Sequence, residues 1–200
     1  MKFPDTKKKI LSSALDFFSQ NGYSGASIRQ IARSVGVRES AIYNHFKSKE
    51  EIFQTILSSF KRKTISKEIL SDDLLDEVSD PENFLKKFSL RLIDHWNKPE
   101  EKKFIRVLLM EQFTLVGNEE LSTTEYLSEL RNICRLIFGE MVKTKIIKPY
   151  DPSFLSDEFT SLLFLIRTER LSSDNTVNIN SVYKQVNAHV EFFWDAIKSE

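Results

Sequence analysis

The sequence of 200 residues contains a single cysteine, Cys134. One cysteine cannot form a disulfide within the chain, which is compatible with the reducing cytoplasm, where we expect the protein. The histidines, His45, His95 and His189, are far apart in the sequence, and Cys134 has no partner at metal-ligand spacing. We therefore expect no metal site and no cofactor.

Glycine and proline are also scarce, with five of each, and no alternating β-branched runs are bounded by turns. Both absences favour a mostly helical protein without a sheet. Every uncharged apolar stretch is far shorter than the ~20 residues that span a bilayer. The N-terminus interleaves its apolar residues with Asp, Ser and Lys. We therefore expect neither a membrane span nor a signal peptide.

Sequence motifs of catalysis are missing as well. The chain has no glycine-rich phosphate loop, no nucleophile elbow and no paired metal ligands. An active site assembled across helices leaves no local motif. A helical-bundle enzyme acting on a small molecule therefore stays open as an alternative function.

The charges are divided unevenly along a chain whose net charge is zero. Residues 1–63 carry 12 Lys or Arg against 5 Asp or Glu, and the remainder carries 17 against 24. A basic N-terminal part joined to an acidic body indicates an anionic partner for the first part only.

Apolar residues at helical spacing predict short helices in this basic part. The first should extend from about Thr6 to Gln20, and Gly22 should end it in a left-handed conformation. Ser27 forms a capping box with the glutamine three residues later and opens the second helix, which ends at Gly36 after about two turns.

The spacing of Ala32, Gly36 and Ile42 is typical of a helix-turn-helix. Ala32 is small where the two helices approach, Gly36 can adopt the positive φ of the turn, and Ile42 fills the gap between the helices. Ser48 and Glu51 should form a second capping box that starts a fourth helix. Such a unit braces one short helix so that it can enter a groove of DNA.

The outward face of this third helix carries groups suited to nucleic acid. With Ile42 and Phe46 directed inward, Asn44 can pair with adenine edges, and Arg38 can address guanine or phosphate. Tyrosine, serine and lysine commonly bind backbone oxygens. The predicted DNA-contacting residues are Ser27, Arg38, Glu39, Ser40, Tyr43, Asn44, His45, Lys47 and Lys49.

One combined motif joins these features, with "IYNHFKSKEE" following "IARSVGV" at short distance. Its positions are Gly22-Tyr23, Ser27, Ile31-Ala32, Gly36-Val37, Ile42-Tyr43, His45-Phe46 and Ser48-Lys49-Glu50. In these positions the first ~60 residues resemble the DNA-binding domain of TetR/AcrR-family transcriptional regulators. The usual residues of that family are replaced at Ala26, Arg38 and Ser40, so a familiar operator sequence is not expected to transfer.

The resemblance implies an all-α fold, with a helix-turn-helix domain over residues 1–63 and a helical-bundle ligand-binding and dimerisation domain over residues 64–200. It implies a homodimer on a palindromic operator of double-stranded DNA, most often a repressor released by a small-molecule effector. It also implies phosphate contacts for Ser27, Tyr43, His45 and Lys49, although a half-buried structural role would explain His45 equally well. A helix-turn-helix adaptor that binds protein without reading DNA is a second alternative.

Residues 64–200 carry helix signals without a diagnostic motif, and predict helices of about 81–97, 99–116, 122–147, 152–171 and 179–198. By resemblance, the middle helices hold the effector and the last two form the dimer interface. The candidate effector-binding residues, whose aromatic character favours an apolar or amphipathic molecule, are Trp96, Phe104, Leu108, Glu111, Phe113, Tyr126, Leu130 and Cys134. The candidate interface residues are Phe159, Leu162, Leu163, Ile166, Val186, Val190, Phe193 and Ile197.

Glu111 has two interpretations, because it is a carboxylate within the apolar sequence "VLLMEQFTLV". It could orient a cation or an amide of the effector, or it could form a salt bridge to a neighbouring helix. The second role is the more common one for such a residue.

Overall fold

The computed structural model describes residues 4–62, 68–112, 123–172 and 177–199. Its helices are α1 (Pro4–Gly25), α2 (Ile28–Val35), α3 (Glu39–Tyr43), α4 (Lys49–Arg62), α5 (Asp72–Leu75), α6 (Pro81–Trp96), α7 (Pro99–Glu111), α8 (Thr123–Lys143), α9 (Pro152–Glu169) and α10 (Ile179–Ile197). In these ranges the chain forms no strand, only an isolated bridge between Ile147 and Lys198. The predicted all-α fold is therefore confirmed. None of the described helices is long and apolar enough to cross a membrane.

The first helix is interrupted at Gly22, whose φ of 70° and ψ of 173° are not helical. Glycine adopts a positive φ without the steric cost that a β-carbon would bring. The predicted break at Gly22 is confirmed, although its ψ is extended rather than left-handed helical. Beyond the break α1 continues to Gly25, and only Ala26 and Ser27 separate it from α2.

The second helix is capped at both ends by the predicted residues. The Ser27 hydroxyl accepts a hydrogen bond from the Gln30 amide at 3.2 Å, and the Gln30 side chain accepts one from the Ser27 amide at 2.9 Å. Such an N-cap contributes about 1 kcal/mol to stability. At the other end Gly36 is left-handed (φ 75°, ψ 29°), and its amide donates to the carbonyls of Ala32 and Arg33.

The fourth helix begins with half of the capping box that the sequence predicts. The Ser48 hydroxyl accepts a hydrogen bond from the Glu51 amide at 3.1 Å. The Glu51 carboxylate accepts the amide of Lys47 rather than that of Ser48. The amide just before the N-cap is thereby satisfied, so the start of α4 is fixed by a variant of the expected box.

One compact unit comprises Met1–Lys63 and Lys103–Tyr126, so it joins α1–α4 to the later part of α7. Phe18 and Phe53 meet edge to face at 5.3 Å between ring centroids, and Phe60 stacks on Phe104 at 4.0 Å. Burying each apolar side chain contributes about 1.5–3 kcal/mol. The short α3, which would not be stable alone, is held by this packing. Its core includes Ile10, Ala14, Phe18, Ile31, Ala32, Ile42, Phe46 and Phe53.

The second compact unit comprises Thr64–Lys102 and Leu127–Glu200, and within it α6, α9 and α10 pack against one another. Asp80 and Asp151 cap α6 and α9 by accepting backbone amides of the first turn, and a proline follows each of them. A proline at this position loses no helical hydrogen bond. The predicted starts of these two helices are therefore confirmed.

The residues predicted as the dimer interface belong instead to the core of this unit. Seven of the eight are at most 7% exposed within the single chain: Phe159, Leu163, Ile166, Val186, Val190, Phe193 and Ile197. Leu162 is half-buried. Side chains already removed from water have almost no area left to bury against a second subunit, so burial does not support these seven as interface residues, and the interface stays a prediction. Helical periodicity located an apolar face of each helix but could not tell which partner covers it.

Candidate nucleic-acid interface

The third helix presents a polar face to solvent because its apolar side is fixed in the core. Ile42 is fully buried and Phe46 is 2% exposed, whereas Tyr43 is 54% exposed. The turn continues beyond α3, since the amides of His45 and Phe46 both donate to the Ile42 carbonyl, at 2.9 and 3.0 Å. Ile42 therefore anchors the helix through both its side chain and its carbonyl.

Six of the predicted DNA-contacting residues are exposed on α3 and its flanks. We call this set the recognition face: Arg38, Glu39, Ser40, Tyr43, Asn44 and Lys47. Their exposure is what a groove-reading surface requires, because a side chain must reach a base edge or phosphate directly or through one water. The contacts themselves stay a prediction.

Ser27 and His45 lie beside the recognition face in different environments. Ser27 is exposed, and its hydroxyl lies 2.8 Å from the Gln30 side-chain oxygen. This hydroxyl is therefore already engaged in the cap of α2. His45 is half-buried, which agrees with the structural interpretation while leaving part of the ring accessible.

The ammonium group of Lys49 is directed into the protein. It donates to the carbonyl of Tyr23 at 2.7 Å and to that of Ala26 at 2.8 Å. It also lies 4.3 Å from the centroid of the Tyr23 ring, a cation–π arrangement. Lys49 thus fixes the loop between α1 and α2, a role that its sequence position beside the helix-turn-helix did not reveal.

Sequence reasoning overlooked two arginines on the second helix. Arg29 and Arg33 are exposed, and with Arg38 and Glu39 they line a shallow concavity of about 500 Å³. The signal was present in the sequence, because residues 29 and 33 are one turn apart on the face opposite the buried Ile31. Guanidinium groups on a concave surface suit phosphate or the acceptor atoms of guanine.

The candidate effector-binding residues do not all lie in one unit. Trp96, Leu130 and Cys134 are buried in the second unit, and Phe104, Leu108 and Glu111 are buried in the first. Phe113 lies outside the described residues, as does the side chain of Tyr126. Their common pocket stays a prediction.

Glu111 has a defined partner near the candidate interface. Its carboxylate accepts a hydrogen bond from the Tyr23 amide at 2.7 Å, although the side chain is only 5% exposed. The sequence left open an effector contact or a salt bridge, and this hydrogen bond to a backbone amide is neither of them.

Residues 10–56 match the family model for bacterial regulatory proteins of the tetR family. The chain is also 26% identical over 135 residues to the HTH-type transcriptional regulator SrpR of Pseudomonas putida, covering 66% of this chain and 60% of SrpR. It is 24% identical over 162 residues to IcaR of Staphylococcus epidermidis, covering 80% of this chain and 78% of IcaR. IcaR is a negative transcriptional regulator of the icaADBC biofilm operon.

Among solved structures, the chain has the fold of AibR, crystallised with isovaleryl coenzyme A and operator DNA. The TM-score is 0.67 at 19% identity, covering 92% of this chain and 96% of AibR. The family match extends from the buried Ile10 through α2, the Gly36 turn and α3 into α4, and so contains the whole recognition face. Over residues 10–56 the chain thus matches the tetR family of bacterial regulatory proteins, and its fold is that of solved tetR-family regulators.

Proposed function

We propose that the protein is a homodimeric, sequence-specific DNA-binding transcriptional regulator, a repressor that a small-molecule effector releases from its operator. The observation that carries the proposal is the exposed recognition face on a helix whose opposite side, Ile42 and Phe46, is buried. A rigid helix of this kind can enter the major groove without losing conformational freedom on binding.

The roles divide into base reading and positioning. Asn44 and Arg38 are assigned to base edges, because amide and guanidinium groups form paired hydrogen bonds there. Tyr43, Ser40 and Lys47 are assigned to phosphates, and Arg29 and Arg33 extend the basic surface onto α2. The excess of basic residues in residues 1–63 supports this assignment through counterion release from DNA.

The division of labour follows the proposed domains, with residues 1–63 binding DNA and residues 64–200 binding the effector and the second subunit. Dimerisation supplies the two-fold symmetry of a palindromic operator. Because the predicted interface residues are buried in the protomer, the interface is assigned to exposed apolar side chains of α9 and α10. Phe154, Leu165 and Phe192 are 54%, 45% and 78% exposed.

An effector would act by favouring a conformation in which the two recognition faces no longer match the operator. A differential binding energy of ~1–3 kcal/mol between the two conformations changes DNA affinity about 5- to 150-fold. The relatives support this reading in outline, since IcaR is a negative regulator and AibR was crystallised with both a coenzyme A ester and operator DNA.

A gel-shift titration of the full chain against DNA from upstream of its own gene tests the proposal. We expect one palindromic fragment to bind at least 10³-fold more tightly than random DNA. Affinity should fall about 10³- to 10⁵-fold between 50 and 200 mM salt if the dimer covers 6–10 phosphates. Equal binding to all fragments would reject sequence-specific regulation, and the lack of any salt dependence would favour the adaptor function.

A further inference from the structure

Residues 23–27, the end of α1 and its link to α2, which we call the α1–α2 loop, are held by charged side chains from two later parts of the chain. We propose that Glu111, at the end of α7, is a positioning residue for DNA recognition: it fixes the Tyr23 backbone and thereby sets the start of α2. The proposal rests on the proposed function, because it assigns a DNA-binding consequence to a contact distant from the recognition face.

The contact joins residues 88 positions apart in the sequence. The Glu111 carboxylate accepts the Tyr23 amide at 2.7 Å, and the side chain is almost fully buried. A hydrogen bond to an ionised acceptor is roughly twice as strong as one between neutral groups. Within the first unit, this bond ties the end of α7 directly to the backbone that precedes the helix-turn-helix.

Glycine at position 22 makes this close approach possible. A β-carbon built on Gly22 would lie 2.9 Å from the Glu111 Oε1 atom and 3.4 Å from the end of the Met110 side chain. The same residue has a φ of 70°. Gly22 therefore serves two purposes, since it breaks α1 and leaves room for the carboxylate against the chain.

The carbonyl of the same residue is held by a charge of the other sign. The Lys49 ammonium donates to the Tyr23 carbonyl, so both backbone polar groups of Tyr23 bond to ionised side chains. The Tyr23 ring packs on Phe53 with 4.9 Å between centroids. Burial, then hydrogen bonding to Glu50, and the charges of Glu50 and Glu111 raise the pKa of the Tyr23 phenol to about 12. The phenol consequently stays protonated and can donate at any physiological pH.

A shift at Tyr23 is transmitted to the DNA-binding surface over a short length of chain. Ser27, the N-cap of α2, follows four residues later, and Arg29 lies in the first turn of that helix. Glu111 itself is buried and negative, so it is unsuited to touch DNA phosphate. Its influence on DNA recognition is assigned to the bond with Tyr23, which acts on the orientation of α2 and α3.

The experiment compares full-length wild type with Glu111→Ala, Glu111→Gln and the control Lys103→Met. Lys103 lies on the same helix and pairs with Asp16 of α1 at 2.5 Å, but it does not touch the loop. Affinities for the operator and for random DNA are measured over a range of salt, together with hydrogen exchange of the Tyr23 amide. Glu111→Gln keeps a neutral hydrogen-bond acceptor at this position. It replaces Glu111→Ala in the comparison if the alanine variant does not fold.

We expect Glu111→Ala to lower operator affinity about 5- to 150-fold, with Glu111→Gln partly restoring it and Lys103→Met within about 3-fold of wild type. The dependence of affinity on salt should stay unchanged, because no phosphate contact is removed. The loss of affinity should be larger on the operator than on random DNA, so preference for the operator falls. A loss that is equal on operator and random DNA would indicate general destabilisation and overturn the positioning role. Unchanged operator affinity would also overturn it.

If wild type itself does not bind DNA, the proposed function fails, and the exchange measurement then decides on the contact alone. Exchange of the Tyr23 amide that is faster in Glu111→Ala, but not in Lys103→Met, supports the hold of Glu111 on the loop. Exchange at the wild-type rate in both variants rejects it.

Discussion

The guanidinium of Arg167 lies 3.0 Å from the carboxylate of Glu101, and neither side chain is more than 3% exposed. Arg167 also lies 4.8 Å from the Trp96 ring centroid, and the His95 ring is 3.4 Å from the other Glu101 oxygen. The second unit therefore contains a buried ionic cluster drawn from α6, α7 and α9. Its charges are stable in this position only because they neutralise one another.

Removing one member of this cluster should destabilise the protein strongly. We expect Arg167→Ala to lower the free energy of unfolding by about 3–5 kcal/mol, because the buried carboxylate of Glu101 loses its guanidinium partner and keeps only the His95 ring. The matched control is Lys143→Ala, which breaks an exposed pair with Glu140 and should cost less than about 0.5 kcal/mol. Urea denaturation followed by circular dichroism measures both, and similar losses in the two variants would contradict the assignment.

The same cluster predicts an acid-dependent loss of stability. Burial alone would raise the pKa of Glu101, but the hydrogen bond with His95 and the positive charge of Arg167 outweigh it and hold the pKa below its ordinary value of 4.5. The folded protein therefore binds this proton less readily than the unfolded chain, so the contribution is complete above 4.5 and is lost as pH falls through the lower folded pKa. Between about pH 6 and pH 3 the free energy of unfolding should fall less steeply in Glu101→Gln than in wild type. Parallel curves would mean that other carboxylates cause the acid sensitivity.

Local signals in the sequence were sufficient for the helices and for the exposed side of α3. Ser27, Gly36 and the prolines that begin α6 and α9 act within one turn of their own position, so short-range chemistry fixes them. The partners of Glu111 and Lys49 depend on contacts across 88 and 26 residues, which no local pattern encodes. The sequence correctly predicted an apolar face on α9. Which element covers that face depends on tertiary packing, which the local pattern does not encode.

Substitutions on the recognition face should separate base reading from phosphate binding. We expect Asn44→Ala to change the preference between operator variants by about 1–3 kcal/mol at the base pair that it reads, because an amide paired to adenine is lost. Tyr43→Phe should weaken binding by about the same factor on every sequence, since only the hydrogen bond from a hydroxyl to a phosphate is removed. Binding of both variants to a panel of single-base operator changes distinguishes the two patterns. Identical profiles for the two variants would show that the roles are assigned wrongly.

Phe192 offers a test of the subunit interface that spares the protomer core. It is 78% exposed on α10, so Phe192→Glu should leave the folding of the single chain nearly unchanged while placing a charge in the proposed dimer contact. We expect the dimer to dissociate at micromolar concentration in analytical ultracentrifugation, with circular dichroism unaltered. The neighbouring Val190, which is fully buried, is the contrast, because Val190→Ala should lower stability without a specific effect on association. If Phe192→Glu has the same dimer dissociation constant as wild type, the interface does not include this face of α10.

Among the glycines that the structure describes, Gly22 and Gly36 have a positive φ. They should respond differently to alanine, because only Gly22 has a side chain in its way. A β-carbon at Gly36 meets nothing within 4 Å, so Gly36→Ala should cost only the conformational penalty of about 1–2 kcal/mol. Gly22→Ala carries a larger conformational penalty, because its φ of 70° and ψ of 173° lie in a region open essentially to glycine alone. It also displaces Glu111, whose Oε1 atom would lie 2.9 Å from the new carbon. In a Glu111→Ala background that obstacle is gone, so Gly22→Ala should then cost less than it does in the wild-type background. Thermal unfolding of the two single variants and the double variant measures this non-additivity. Strictly additive losses would mean that the carboxylate and the glycine do not share the same space.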